Sequence, residues 1–241
     1  MKPLTGTSPP ADMVQLGSWD IRSTMLDGPG TTWPGIIAGH PPLDPAAKPW
    51  RAGDGFPEQG WRVVHRDTAP WASEILVLAA PSTVRPGHWI TVQLHRSSNG
   101  WVLAAPSSNP LVPTKRRRSR GLRLAWAASG FSMPHGEQAA LDTVLVNGTG
   151  QPWAPAEEDF AHLHGIIHDS RGRRLGTGGI AYGRLGLPPF PELLPGGRAT
   201  LQVTACTPAL SGLPAGRYLV LAYLPSLDLR TPDMATLTVH P

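Results

Sequence analysis

The chain has 241 residues, 40% of them hydrophobic and 16% charged, a composition that excludes a disordered acidic chain and a coiled coil. Its 27 glycines and 28 prolines leave little uninterrupted length for helices and favour short strands joined by turns. The formal net charge of +4 is unevenly distributed, because five cations lie in the run 115–120 and the remainder is close to neutral.

The only cysteine is Cys206, so no disulfide can form within the chain and a reducing compartment is favoured. The first residues, MKPLTGTSPPADMVQLG, contain no apolar segment of the kind that a secretory signal needs. The sequence also has no run of about 18 uncharged apolar residues. We therefore expect a soluble, cytoplasmic protein without a membrane span, unless a signal was removed from a longer precursor.

Residues 1–60 are rich in Pro, Gly and Trp and are predicted to be irregular, apart from one candidate strand at 14–25. A small antiparallel β lobe is predicted for residues 61–108. Its strands are expected at 61–66, 74–79, 88–95 and 101–105. The third of these alternates between polar and apolar side chains with a period of two, and an Asn-Gly turn joins it to the fourth.

The strand pattern stops between residues 106 and 120, where two prolines, Pro110 and Pro113, precede the basic run. This composition predicts an exposed basic linker at residues 109–120, followed by a second domain at 121–241. The run is also a candidate polyanion-binding site, formed by Lys115, Arg116, Arg117, Arg118 and Arg120. The alternative is a solvated linker, and a nucleic-acid partner is not expected because no fold that reads nucleic acid accompanies the run.

About seven short strands are predicted in the second domain, the number and spacing typical of an immunoglobulin-like sandwich. They are expected at 122–126, 141–146, 161–169, 180–182, 201–205, 217–224 and 237–239. Residues 217–224 are apolar on both faces, which predicts a central strand. The predicted fold class is therefore all-β, with a small antiparallel N-terminal lobe followed by an immunoglobulin-like β-sandwich.

Two turns in this half open successive strands, Leu194-Pro195-Gly196 and Leu213-Pro214-Ala215-Gly216-Arg217-Tyr218. Asn147 after Leu145-Val146 and Asp169 before Gly172 fit the same layout. In these features residues 122–240 resemble bacterial immunoglobulin-like domains, in particular the intracellular proteinase inhibitor family. The resemblance implies a sandwich fold and, as one alternative function, inhibition of a proteinase.

Three histidines of the strand predicted at 161–169, His162, His164 and His168, have even spacings and therefore share one face. A pair of imidazoles at positions i and i+2 suits Zn, Cu or Ni, so His162 and His164 form a candidate metal site. His168 lies about 13 Å from His164 at the usual strand rise, too far to join without a bend. The alternative is a polar solvent face opposite Leu163 and Ile167.

Residues 185–194 combine five large apolar side chains with three prolines, an unusual composition for a surface connection. Prolines restrict the backbone and lower the entropy lost when a partner binds. Leu187, Phe190 and Leu193 are therefore candidate contacts for a protein partner. In the alternative, the loop folds back and caps an open end of the sandwich.

The nine tryptophans suggest two roles. Trp89 and Trp101 are candidates for an exposed aromatic platform on one hairpin, whereas Trp61 and Trp126 are expected to fill the two cores. An acidic cluster at 157–159 lacks the alternating ligands of a calcium site and is interpreted as a solvated loop.

No catalytic motif and no cofactor-binding motif is present, since the sequence has neither a G-x-S-x-G elbow nor a phosphate-binding loop. The leading functional hypothesis is a non-enzymatic protein-binding or assembly module that docks its partner through the sandwich and the apolar loop. The alternatives are a metal-binding protein or enzyme with a His-lined site, and a proteinase inhibitor. The partner's identity is open, and a homo-oligomer is one option.

Overall fold

The structure is a computed structural model that describes residues 12–39, 55–69, 72–176 and 190–241. About 52% of it is strand and 8% helix, which confirms the all-β prediction. The chain divides into two compact units, Met1–Thr114 and Lys115–Pro241. No helix among the described residues is both long and apolar enough to cross a membrane.

The described residues of the first unit form one seven-stranded sheet, a short α-helix, α1, at Trp33–Ala38, and a 3-10 helix at Ser23–Leu26. Its strands are β1 Met13–Leu16, β2 Trp19–Arg22, β3 Arg62–Ala69, β4 Ala72–Pro81, β5 His88–Ser97, β6 Gly100–Leu103 and β7 Ser107–Pro113. The sheet order is β2-β1-β7-β5-β4-β3, with β6 paired to β5, and every pairing is antiparallel. The four strands predicted between 61 and 105 are all present, and the β5–β6 hairpin closes around Ser97 and Gly100.

Strand β4 is buried on both faces and separates two apolar clusters. Leu76, Leu78 and Ala80 belong to one cluster, which also contains Trp61, whereas Val77 and Ala79 belong to the other. This second cluster includes side chains from β1, β2 and β3, so the sheet curls around it.

Two predictions for the N-terminal half were wrong. The candidate strand at 14–25 is the β1–β2 hairpin, which turns at Gly17, where φ is +59°, a conformation that favours glycine. The linker predicted at 109–120 begins inside β7, since residues 107–113 pair with β5 and β1. The division between the units lies instead between Thr114 and Lys115.

The second unit begins with the short helix α2, Lys115–Arg118, and outside residues 177–189 it continues with eight strands. They are β8 Leu122–Trp126, β9 Gly130–Pro134, β10 Asp142–Asn147, β11 Leu163–Asp169, β12 Arg198–Thr207, β13 Gly216–Leu224, β14 Leu229–Arg230 and β15 Ala235–His240. Their order is β8-β10-β12-β11-β13-β15-β9, with β14 paired to β13. The strand predicted at 180–182 lies outside the described residues.

Strand β12 connects two parts of this unit. Its first half is antiparallel to β10, and its second half is parallel to β11. Strand β13 lies between β11 and β15, which confirms the central position predicted for residues 217–224. Strand β9 is parallel to β15. At the start of β13, the hydroxyl of Tyr218 donates a hydrogen bond of 2.9 Å to the carbonyl oxygen of Pro214, four residues earlier.

Candidate functional site

His164 and His168 lie on the face of β11 opposite Leu163 and Ile167, as their spacing predicts, and His162 immediately precedes the strand. The core face of the strand carries Leu163 and Ile167, which are fully buried. A ring nitrogen of His162, Nδ1, is hydrogen-bonded to the hydroxyl of Thr204 at 2.9 Å, and Nε2 of His164 is hydrogen-bonded to that of Thr207 at 2.8 Å. Both hydroxyls belong to the neighbouring strand β12, so a hydrogen bond to that strand holds each imidazole in place.

Burial sets the protonation of this histidine pair. It lowers the pKa of His162 below the ordinary histidine value, and it lowers the pKa of His164 as well. Nearby positive charge on His162 and Arg174 lowers the pKa of His164 further. Both imidazoles are therefore neutral over most of the physiological pH range, the form that binds metals.

A metal site needs more than these two side chains, because structural zinc takes four ligands and catalytic zinc three from the protein. Among the described residues, no group of three or more His, Cys, Asp or Glu side chains is arranged to hold a metal ion. His168 lies further along β11, opposite Leu219, and bridges to Arg174 through the backbone. The site at His162 and His164 thus stays a prediction.

The same face continues onto the central strand β13. Tyr223, Leu221 and Leu219 lie directly opposite His164, Ile166 and His168 in the antiparallel register. We call these six residues the β11–β13 outer face; His164 and Ile166 are 5% and 8% exposed, and the other four are partly exposed. Val220, Ala222 and Leu224 point to the other side and are fully buried, so β13 is apolar on both faces.

The aromatic end of the outer face is held by polar contacts. The guanidinium of Arg230 lies 4.9 Å from the ring centroid of Tyr223. The hydroxyl of Tyr223 donates a hydrogen bond to Asp228 at 3.0 Å. Sequence reasoning identified the apolar pattern of β13 but used it only to place the strand, and so it missed this surface.

Two of the three candidate partner contacts in the apolar loop lie in the core of their own unit. Phe190 and Leu193 are 5% and 3% exposed and belong to the core of the second unit. The ring of Phe190 packs edge-on against Trp153 at 5.8 Å, and Leu193 bridges to Trp153 through the backbone. The prediction that these two side chains contact a partner was therefore wrong, because they are enclosed by their own unit. Leu187 lies outside the described residues.

The basic run is part of the second unit and is anchored by Arg118. The Arg118 guanidinium forms a bidentate ion pair with Asp159, with nitrogen–oxygen distances of 3.0 to 3.2 Å, and it also donates to the carbonyl oxygen of Ser226. The two side chains are 6% and 0% exposed. Arg118 is thus not available to a polyanion, and Asp159 is not in a solvated loop as predicted.

The other members of the run lie nearer the surface. Arg116, Arg117 and Arg120 are exposed, and Lys115 is partly exposed. Polyanion binding by these four side chains stays a prediction.

The tryptophans divide differently from the prediction. Trp61 is fully buried in the first unit, as expected, and Trp126 packs against core clusters of the second. Trp101 is 7% exposed and cannot serve as a platform. Trp89 is partly buried, with the guanidinium of Arg62 at 5.2 Å from its ring. The exposed platform predicted for the β5–β6 hairpin is therefore wrong.

Burial also decides the reactivity of the single thiol. It raises the pKa of Cys206 to about 11. The thiol consequently stays protonated at neutral pH and is a poor nucleophile.

Comparisons with known proteins add no relative: no family model, no curated protein and no solved structure matches the chain.

Proposed function

We propose that this chain is a non-enzymatic protein-binding module. Its second unit is an immunoglobulin-like sandwich in this proposal, and the β11–β13 outer face makes the contact. The function rests on one observation, the apolar side chains that a central strand directs away from its core.

The pairing of the second unit supports the immunoglobulin-like assignment. The first two strands of the unit lie at opposite ends of its strand order, since β8 pairs with β10 whereas β9 runs parallel to the last strand, β15. A tyrosine near the start of the penultimate long strand typically bonds back to the preceding turn. Tyr218 makes this bond to Pro214.

The composition of the outer face supports the binding role. An antiparallel sheet face that meets water usually carries polar side chains. Here the partly exposed Leu219, Leu221 and Tyr223 alternate with buried residues along β13, and Ile166 of β11, which is 8% exposed, lies beside them. Tyrosine and arginine are enriched where binding energy concentrates, and the Tyr223–Arg230 pair lies at one end of this row.

The test replaces the two aliphatic side chains of the central strand by threonine. Threonine is β-branched, a shape that strands favour, so the Leu219→Thr/Leu221→Thr variant should fold. The matched control is Thr200→Ala, a change on the exposed side of β12. Wild-type and variant chains are immobilised and exposed to extract from the native host, and each captured protein is then purified and titrated against them.

The proposal predicts a partner that binds the wild-type chain and the Thr200→Ala control equally. The double variant should bind it about 30-fold more weakly or worse, as expected when central interface contacts are lost. Proteinases belong in the titration, since the resemblance of residues 122–240 to the intracellular proteinase inhibitor family makes them one partner class. Equal binding by the double variant would exclude the outer face.

A further inference from the structure

The curled sheet of the first unit brings its two edge strands together without joining them. Strands β2 and β3 are the two ends of the sheet, and within the described residues β2 pairs only with β1 and β3 only with β4. Yet Ile21 of β2 and Val64 of β3 belong to the same buried cluster. The closure is made by side chains and not by a backbone ladder.

One side-chain contact spans the gap between these edges, and a second joins β3 to the segment that follows β2. At one position the rings of Trp19 and His65 lie 4.9 Å apart. At another, the guanidinium of Arg62 donates hydrogen bonds to the carbonyl oxygens of Leu26 and Gly28. The gap is therefore bridged by side chains from both edges, and a cleft lies alongside them.

The cleft has a volume of about 750 Å³, within the range of small-molecule sites. Five apolar side chains contribute to its lining: Met13, Ile21, Met25, Val63 and Val64. Ile21 and Val64 are almost fully buried, whereas Met25 is 44% exposed. The two methionines are unbranched and polarisable, so they can adapt to an apolar ligand of variable shape.

Charge at the cleft favours an anion. Arg22 and Arg66 line it together with a single carboxylate, Asp20, and with His65. Arg66 already has an ion pair with Glu74 at 3.3 Å. Among the described residues, no carboxylate forms an ion pair with Arg22, which lies opposite Met13 in the β1–β2 register. A cation thus borders an apolar wall.

We propose that this cleft binds a free amphiphile with a single alkyl chain and a carboxylate, in the manner of a medium-chain fatty acid. The chain lies against Met13, Ile21 and Met25, and the carboxylate is bound by the guanidinium of Arg22, whose planar donors match a carboxylate.

An added strand from a partner protein fits the same cleft less well. The register of β3 is irregular between Val63 and His65 and again between Asp67 and Ala69. Such bulges, with charged side chains beside them, are the devices by which natural proteins prevent strand addition at an edge. These features favour a small ligand in the cleft between β2 and β3 over a strand added by a partner protein.

The probe is dodecanoate, titrated into the full chain by calorimetry below its micellar concentration. Dodecyltrimethylammonium, which has the same alkyl chain and the opposite charge, tests the role of Arg22. The variants are Arg22→Gln, which removes the cation, and Met25→Gln, which makes one wall polar at an exposed position. Arg123→Gln, an exposed arginine on a strand of the second unit, is the matched control. Circular dichroism verifies that each variant is folded.

We expect saturable binding of one dodecanoate per chain. Affinity should fall at least tenfold in Arg22→Gln and also in Met25→Gln, and it should be unchanged in Arg123→Gln. The quaternary ammonium should bind far more weakly and without dependence on Arg22. Lack of saturable dodecanoate binding, equal affinity in Arg22→Gln and Arg123→Gln, or binding to anionic vesicles without binding of free dodecanoate would each overturn the proposal. None of these outcomes bears on the outer face of the second unit.

Discussion

Arg118 offers the sharpest test of how the second unit is held together. Replacing it with methionine keeps most of the side-chain length but removes the guanidinium. Asp159 would then keep a hydrogen bond from the backbone N–H of Ala156 at 2.9 Å but lose its cation. Because the Asp159 side chain is 0% exposed, water cannot replace the lost partner without opening the structure.

The expected loss is large because a buried charge remains uncompensated. Breaking one partner of such a pair costs about 3–5 kcal/mol of the free energy of unfolding. For a unit of this size that corresponds to a fall in Tm on the order of 10–20 °C. Arg118 also donates a hydrogen bond to the carbonyl oxygen of Ser226, and the hydroxyl of Ser226 donates one to the carbonyl oxygen of Phe160. The substitution therefore weakens the contacts of both the segment around Asp159 and the segment around Ser226.

The assay is urea and heat unfolding of the full chain, followed by circular dichroism. Arg120→Met, an exposed change in the same run, is the control and should shift the free energy of unfolding by less than about 0.5 kcal/mol. The double variant Arg118→Met/Asp159→Leu removes both charges and should recover much of the loss. If Arg118→Met is as stable as Arg120→Met, the run is a solvated linker after all and the ion pair has no structural role.

Two further predictions concern the apolar loop and the histidines. Phe190→Ala should lower the free energy of unfolding by about 3–5 kcal/mol, because it truncates a buried ring. The control, Leu194→Ala, changes a 70% exposed position and should alter the free energy of unfolding by less than about 0.5 kcal/mol. Equal stabilities of the two variants in urea unfolding would mean that Phe190 is not in the core. The folded-state pKa of His164 is lowered from its ordinary value of 6.5, so the unfolded chain binds protons at higher pH than the folded one. Stability should therefore be complete above pH 6.5 and should fall as the pH drops below it. His164→Gln, measured by urea unfolding from pH 8 to 5, should flatten this dependence, and an unchanged slope would contradict the assignment.

Sequence reasoning succeeded where local chemistry determines structure. The polar segment after β5 does form the predicted hairpin, although Ser97 pairs with Gly100, so that the turn residues are Ser98 and Asn99 and not Asn99 and Gly100. Residues 217–224 are apolar on both faces, a pattern that is typical of a strand with neighbours on both sides. Sequence reasoning failed for Phe190 and Asp159, because the sequence of a loop does not indicate which distant residues pack around its side chains. The partner of Asp159, Arg118, is 41 positions away in the sequence.

Both units depend on a strand that changes partners along its length, and this feature explains why the linker was misplaced. Residues 107–110 of β7 pair with β5 on one side, and residues 111–113 pair with β1 on the other. Among the described residues each half has one paired strand neighbour, and a proline, which has no N–H, costs little where no ladder hydrogen bond needs its nitrogen, so Pro110 and Pro113 are tolerated in a strand that lies inside the sheet order. Strand β12 divides in the same way between β10 and β11. Alternation of side chains tells which face of a strand is buried, but it carries no information about which strand lies alongside. A strand that contains prolines and pairs with a different neighbour in each half thus has the composition of a linker, although it lies inside the sheet.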